Sequence, residues 1–115
     1  MTGAQLREAL EQQWKGQRLP RILQVSGLRY AWEERAPGER VVGIAVGGAP
    51  LQQDRSYSAA VNGFPADGGD GFGVLRDCAR RGEGPDDAEA LAACLRSLPQ
   101  PLDARIDGRI LLRKR

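Results

Sequence analysis

Between Asn62 and Val74 the chain reads NGFPADGGDGFGV, with five glycines, two aspartates, two phenylalanines and one proline. Glycine loses more conformational freedom on folding than any other residue, so such a density predicts a shaped loop. The segment divides the chain into a part read as one helix and several strands and a part read as two helices and one strand. Its own role is open between a turn and a binding site.

Upstream, Thr2 and Gln5 fit a capping box with Thr2 as N-cap. Leu6, Ala9, Leu10 and Trp14 follow at helical spacing, and Gly16 and Pro20 end the helix. Strands are predicted at Ile22–Val25, at Leu28–Trp32 with alternating apolar residues, at Val41–Val46, briefly at Ala49–Leu51 after a Gly47-Gly48 turn, and at Arg55–Val61. The last of these leads directly into the glycine-rich loop. Downstream, Val74, Leu75 and Cys78 predict a short helix ending near Gly82. A second helix opens at Asp86 and Asp87, where carboxylates favour the helix dipole. Ala88, Leu91, Cys94, Leu95 and Leu98 form its expected buried stripe, and Pro99 and Pro101 end it. Asp107-Gly108 marks a turn before a last strand at Ile110–Leu112. The order predicts one α+β domain over residues 1–115, a mixed or antiparallel sheet of about four to five short strands packed with about three helices. Trp14, Tyr30 and Trp32 are expected in its core.

Composition narrows function mainly by what is missing. There is no histidine among the 115 residues, which removes Ser-His and Cys-His dyads and the commonest imidazole metal ligand. Net charge is +2 and the arginines are scattered, so no nucleic-acid partner is expected, and the closing Arg-Lys-Arg reads as a solvated tail. No run approaches the roughly 18 apolar residues of a membrane span, and the acid-containing start is no signal peptide. Cys78 and Cys94, sixteen positions apart, match no zinc motif. They read either as buried free thiols or as one disulfide.

The loop fits no EF-hand, because Gly69 and Cys78 fall where oxygen ligands are needed counting from Asp67. It lacks the Gly-Lys-Ser/Thr of a P-loop and the spacing of a dinucleotide fingerprint. Asp67 and Asp70 would repel phosphate. A flat, hydroxylated ligand is compatible: Phe64, expected where a strand leaves the sheet, can stack on a planar base. Asp70, flanked by glycines, can accept hydrogen bonds from two vicinal hydroxyls. The alternative is a turn in which Phe64 is core and Asp70 bonds nearby amides.

Thr2-Gly3-Ala4-Gln5-Leu6, Leu23-Gln24-Val25-Ser26-Gly27-Leu28, Pro37-Gly38, Asn62 to Phe72 and Asp107 to Ile110, taken in order, resemble the C-terminal domain of the 5′-nucleotidase family. That family includes bifunctional UDP-sugar hydrolases and ecto-5′-nucleotidases. The resemblance implies that Phe64 stacks a nucleobase and Asp70 holds ribose hydroxyls, with Asn62, Gly68 and Gly69 shaping the substrate-binding loop. Gly63 stands where the family's motif carries an acid, and Pro65 is unusual there. The chain resembles the latter two-thirds of that domain, without the first aromatic of the base sandwich. The resemblance also implies a partner domain, a metallophosphoesterase holding two divalent metals, absent from this sequence. The chain itself is expected to need no cofactor and to be inactive alone. Its expected ligand is a nucleoside or nucleotide, and family members are usually exported. The alternative function is a non-catalytic module that self-associates as a homodimer through uncovered sheet edges.

Overall fold

The computed structural model describes residues 1–80 and 82–114. Arg115 of the expected tail lies outside them, while Arg113 donates to Glu33 at 3.1 Å. Helix α1 spans Gly3–Glu11. Its capping box forms as predicted: the Thr2 hydroxyl accepts from the Gln5 amide at 3.1 Å, and the Gln5 side chain accepts from the Thr2 amide at 2.8 Å. Two more amides of the first turn, Gly3 and Ala4, donate to the carbonyls of Arg55 and Gln53 at 2.9 and 3.0 Å. The helix start therefore leaves few orphan donors. Gly3 is required here, because a Cβ would overlap the Gln52 carbonyl group.

Strands β1 (Leu28–Trp32), β2 (Val41–Val46), β3 (Ala49–Pro50) and β4 (Ile110–Leu112) form one sheet in the order β3-β2-β1-β4. β1 pairs antiparallel with β2, and β2 with β3 across the predicted Gly47-Gly48 turn. β4 returns parallel to β1, with Tyr30 opposite Ile110. The fold is α+β with a four-stranded mixed sheet, as the sequence predicts.

Two predicted strands do not form. Ile22–Val25 is held to the turn after α1 instead of a strand neighbour: the Leu23 amide donates to Gln13 Oε1 at 2.7 Å. Arg55–Val61 makes only an isolated bridge, Thr2 to Ser56, and a pair of bonds between Tyr57 and Met1. In the first segment the Val25 carbonyl accepts from Arg109 at 2.8 Å, and in the second the Arg55 carbonyl accepts from Gly3 and Tyr57 bonds Met1, so these groups are used outside the sheet ladder.

Leu6, Ala9 and Leu10 of α1 are buried as the helical stripe requires, and Trp14 is buried from the turn that follows, because the helix ends at Glu11 and not at the predicted Gly16. Leu10 and Trp14 join Tyr30, Val41 and Ile44 in the main core, with Trp32 partly buried against it and its ring 4.8 Å from that of Trp14. Ala9, Phe72 and Leu75 form a second cluster on the other flank of α1. α1 thus carries the sheet on one side and the glycine-rich segment on the other.

Four helices are present among the described residues, two of them single turns: α2 (Gly63–Ala66) and α3 (Gly73–Arg76). α4 spans Asp87–Ser97, and its predicted buried stripe is not buried. Leu91 is 59% and Leu98 46% exposed, and Ala88, Cys94 and Leu95 are exposed as well. Amphipathic spacing makes one side of a helix apolar, but a second surface must be present to cover it. The cysteines are free, Cys78 half-buried and Cys94 exposed. Burial of both thiols is therefore not realised, and neither is the disulfide.

Candidate functional site

The glycine-rich segment is built from three short turns. In α2, Pro65 occupies the first turn, where its missing N–H is no loss. The Asn62 and Gly63 carbonyls accept from Ala66 and Asp67 at 3.1 and 3.0 Å. Gly68, at φ 89°, ends the helix in the left-handed region. Asp70 (φ 57°, ψ 23°) and Gly71 (φ 81°) are also left-handed. Asp70 is the one non-glycine residue among those described with positive φ, a conformation that needs support from its surroundings. Phe72 then turns inward and is 2% exposed, which anchors the loop on α1.

Phe64 therefore stands on a single helical turn, not at a strand end as predicted. It is 67% exposed, which excludes the reading of Phe64 as core. Its ring lies against Gly69. A Cβ at Gly69 would come within 2.7 Å of ring atoms Cδ1 and Cε1 and 2.6 Å of the Phe64 carbonyl oxygen. Glycine at 69 is thus what lets the ring lie there. Asp70 does not bond neighbouring amides. Its Oδ1 pairs with Arg21 Nη1 at 3.2 Å, and its carbonyl oxygen accepts from the Gln17 side-chain amide. Gln12 Oε1 accepts from the Val74 amide at 3.2 Å. Asp67 pairs with Arg80. Asn62 is directed away, its Nδ2 donating to Asp87 at the start of α4 at 3.0 Å.

The structure thus brings Phe64, Gly68, Gly69 and Asp70 into one exposed feature and assigns Asn62 to the junction with α4. Gln12, Gln17 and Arg21, which hold the loop, carry no motif in the sequence. Two shallow depressions, of about 280 Å³ beside Glu33 and Arg113 and about 400 Å³ on the sheet around Tyr30 and Ile44, are lined by neither Phe64 nor Asp70. The Phe64 feature is an open wall, and chemistry places more weight on it than concavity does. Among the described residues no group of three or more His, Cys, Asp or Glu is placed to hold a metal ion.

The profile of the family described as "5'-nucleotidase, C-terminal domain" matches residues 1–77, through α1, the β1–β3 sheet and the loop. The chain belongs to this family. A 5′-nucleotidase of Diplobatis ommata is 32% identical over 95% of this chain and 21% of its own length. The human 5′-nucleotidase is 29% identical over 96% of this chain and 21% of its own length. The chain therefore spans about a fifth of the curated relatives it matches. The crystal structure of a 5′-nucleotidase precursor from Thermus thermophilus superposes with a TM-score of 0.85 at 39% identity, covering 97% of this chain and 24% of that one. The sulfate thiohydrolase SoxB from the same organism gives 0.72 at 29% identity, covering all of this chain and 22% of its own. The 5′-nucleotidase C-terminal domain fold is thus shared with an enzyme whose name points to a different substrate.

Proposed function

We propose that the chain supplies the nucleoside-facing wall of a 5′-nucleotidase-type hydrolase. The observation that carries this is the exposed Phe64 ring, laid over Gly69 and followed by Asp70 locked in a left-handed turn. An aromatic face open to solvent stacks a base. A carboxylate with accessible oxygens accepts from ribose hydroxyls. Fold alone does not select the substrate, so the assignment rests on these two side chains. In this reading the domain is the latter two-thirds of a substrate-binding domain. The other aromatic of the base sandwich and a metallophosphoesterase domain with two divalent metals belong to a longer protein. Such a domain would supply metal-assisted activation of water toward the phosphate ester. The name "precursor" of one relative supports an exported protein.

Adenosine titrated into labelled protein should shift the amides of residues 62–74, and Phe64→Ala should abolish those shifts while leaving the rest of the spectrum intact. Absence of localised shifts at millimolar adenosine would leave a scaffold without a nucleoside site. The chain alone should release no phosphate from AMP with added divalent metal; release would refute the division of labour between domains.

A second reading is favoured by the exposed leucines of α4: a self-associating module, with Leu91, Leu95 and Leu98 meeting those of a second copy. Sedimentation should then show a dimer that Leu95→Ser dissociates. A concentration-independent monomer would dismiss it.

A further inference from the structure

The loop is gripped from outside itself, by the chain that follows α1. The Gln17 side chain donates to the Gln12 carbonyl at 3.2 Å and to the Asp70 carbonyl, bridging the end of the helix to the left-handed residue. Gly71, next in the chain, leaves room for that bridge: a Cβ there would come 2.6 Å from Gln17 Nε2. Arg21 then takes Oδ1 of the same aspartate at 3.2 Å. One residue fixes the backbone of Asp70 and another fixes its carboxylate.

The Arg21–Asp70 pair is exposed, with side chains 56% and 37% accessible. Exposed ion pairs contribute little to stability, so holding the fold together is not a sufficient role for it. Its geometric effect is specific. A carboxylate offers about four lone-pair positions. Arg21 engages Oδ1, which restrains rotation of the group and leaves Oδ2 and the remaining Oδ1 position for donors from solvent or ligand. Two donors on adjacent atoms, as in a vicinal diol, match two acceptor oxygens held at a fixed angle. A freely rotating carboxylate would lose that match on average.

We propose that Arg21 and Gln17 are positioning residues that set Asp70 for a vicinal diol, so that discrimination between ribose and deoxyribose is governed from the segment that follows α1. The inference rests on the nucleoside reading of the loop and adds to it two residues that no motif marks.

The test compares adenosine with 2′-deoxyadenosine, titrated into the full chain as wild type, Arg21→Ala, Arg21→Lys and Phe64→Ala. Wild type should prefer adenosine. Arg21→Ala should weaken adenosine about fivefold, the worth of one hydrogen bond, while leaving deoxyadenosine unchanged, so that the preference collapses. Arg21→Lys, which keeps the charge, should restore part of it. Phe64→Ala should weaken both ligands equally. For the backbone half of the clamp, Gln17→Ala should change the amide-to-α-proton coupling of Asp70; an unchanged coupling removes Gln17 from the proposal. If Arg21→Ala keeps the wild-type preference, or weakens both nucleosides alike, the positioning role is overturned while nucleoside binding stands. If wild type binds neither nucleoside, the reading of the loop fails, and the diol role fails with it.

Discussion

Glu11 is the buried group whose removal tests the docking of α1 on the sheet. It is 3% exposed. Its Oε1 accepts from the Val41 amide at 2.7 Å and its Oε2 from the Arg40 amide at 3.2 Å. One turn earlier, Arg7 Nη1 donates to the Val41 carbonyl at 2.9 Å. The i, i+4 pair of α1 thus brackets one residue of β2 from both its donor and its acceptor side. Glu11→Ala leaves one buried backbone donor, Val41, and one part-buried donor, Arg40, without an acceptor. A hydrogen bond to a charged group contributes about 1.5–3 kcal/mol, so the gross loss is on the order of 3–6 kcal/mol. Relief of the carboxylate's own desolvation, which costs several kcal/mol for a buried ion, offsets part of it. The expected net loss is about 2–4 kcal/mol, a large part of the roughly 5–15 kcal/mol available to a domain. Glu11→Gln keeps one acceptor oxygen and should lose about half as much. Urea unfolding followed by tryptophan fluorescence reports it directly, because Trp14 lies against Trp32 in this core. The midpoint should fall with the slope unchanged. A loss below about 1 kcal/mol for Glu11→Ala would mean that water replaces the carboxylate at negligible cost, and the docking role would be refuted.

Gly69→Ala should displace the Phe64 ring and weaken adenosine by about five- to 150-fold, the range of one base–aromatic stack, and should also lower the melt because the added Cβ meets the Phe64 carbonyl oxygen; wild-type affinity would show that the ring does not need its place over Gly69. Gly3→Ala should cost about 1–3 kcal/mol through overlap with backbone at Gln52, read as a fall in the thermal midpoint. Tyr30 is 3% exposed, and its hydroxyl donates to Gln13 Oε1 at 3.1 Å. Burial pushes its phenol above the ordinary 10.0. A raised folded pKa means that the native state favours the protonated form, so its contribution is complete below pH 10 and is lost as pH rises through the folded value. Tyr30→Phe should therefore cost about 1 kcal/mol at neutral pH, and the gap to wild type should narrow above pH 10 in paired urea titrations. A gap constant across that range would remove Tyr30 as its source.

What the sequence makes legible here is what depends on neighbours along the chain. The Thr2–Gln5 box, the Leu6 to Trp14 stripe and the Gly47-Gly48 turn are local chemistry, and all three form. Ile22–Val25 and Arg55–Val61 have strand composition, but a strand also needs a ladder partner. Leu23 bonds the Gln13 side chain, Val25 bonds Arg109 and Tyr57 bonds Met1 instead, a choice made only in three dimensions. α2 escapes the reading because Pro65 resembles a breaker, although the first turn of a helix tolerates it. Leu91 and Leu98 show the converse limit: spacing identifies an apolar face without saying what covers it. For the site, Phe64 and Asp70 stand out within the loop itself. Gln17, 53 positions from its partner Asp70, has nothing in the sequence to connect it to the loop.

The two phenylalanines of the loop separate a buried anchor from an exposed ring. Phe72 is 2% exposed and packs with Ala9 and Leu75, whereas Phe64, eight positions earlier, is 67% exposed. Truncating a buried phenylalanine costs about 3–5 kcal/mol, so Phe72 is held in place by the fold of this chain. Phe64 carries little of that weight and is free to follow the ligand. Phe64→Ala and Phe72→Ala should accordingly give opposite phenotypes. The first should lose adenosine binding with an unchanged melt, and the second should lower the melt. If Phe64→Ala destabilised the protein as much as Phe72→Ala, its ring would be structural, and the loop would have no side chain reserved for a base.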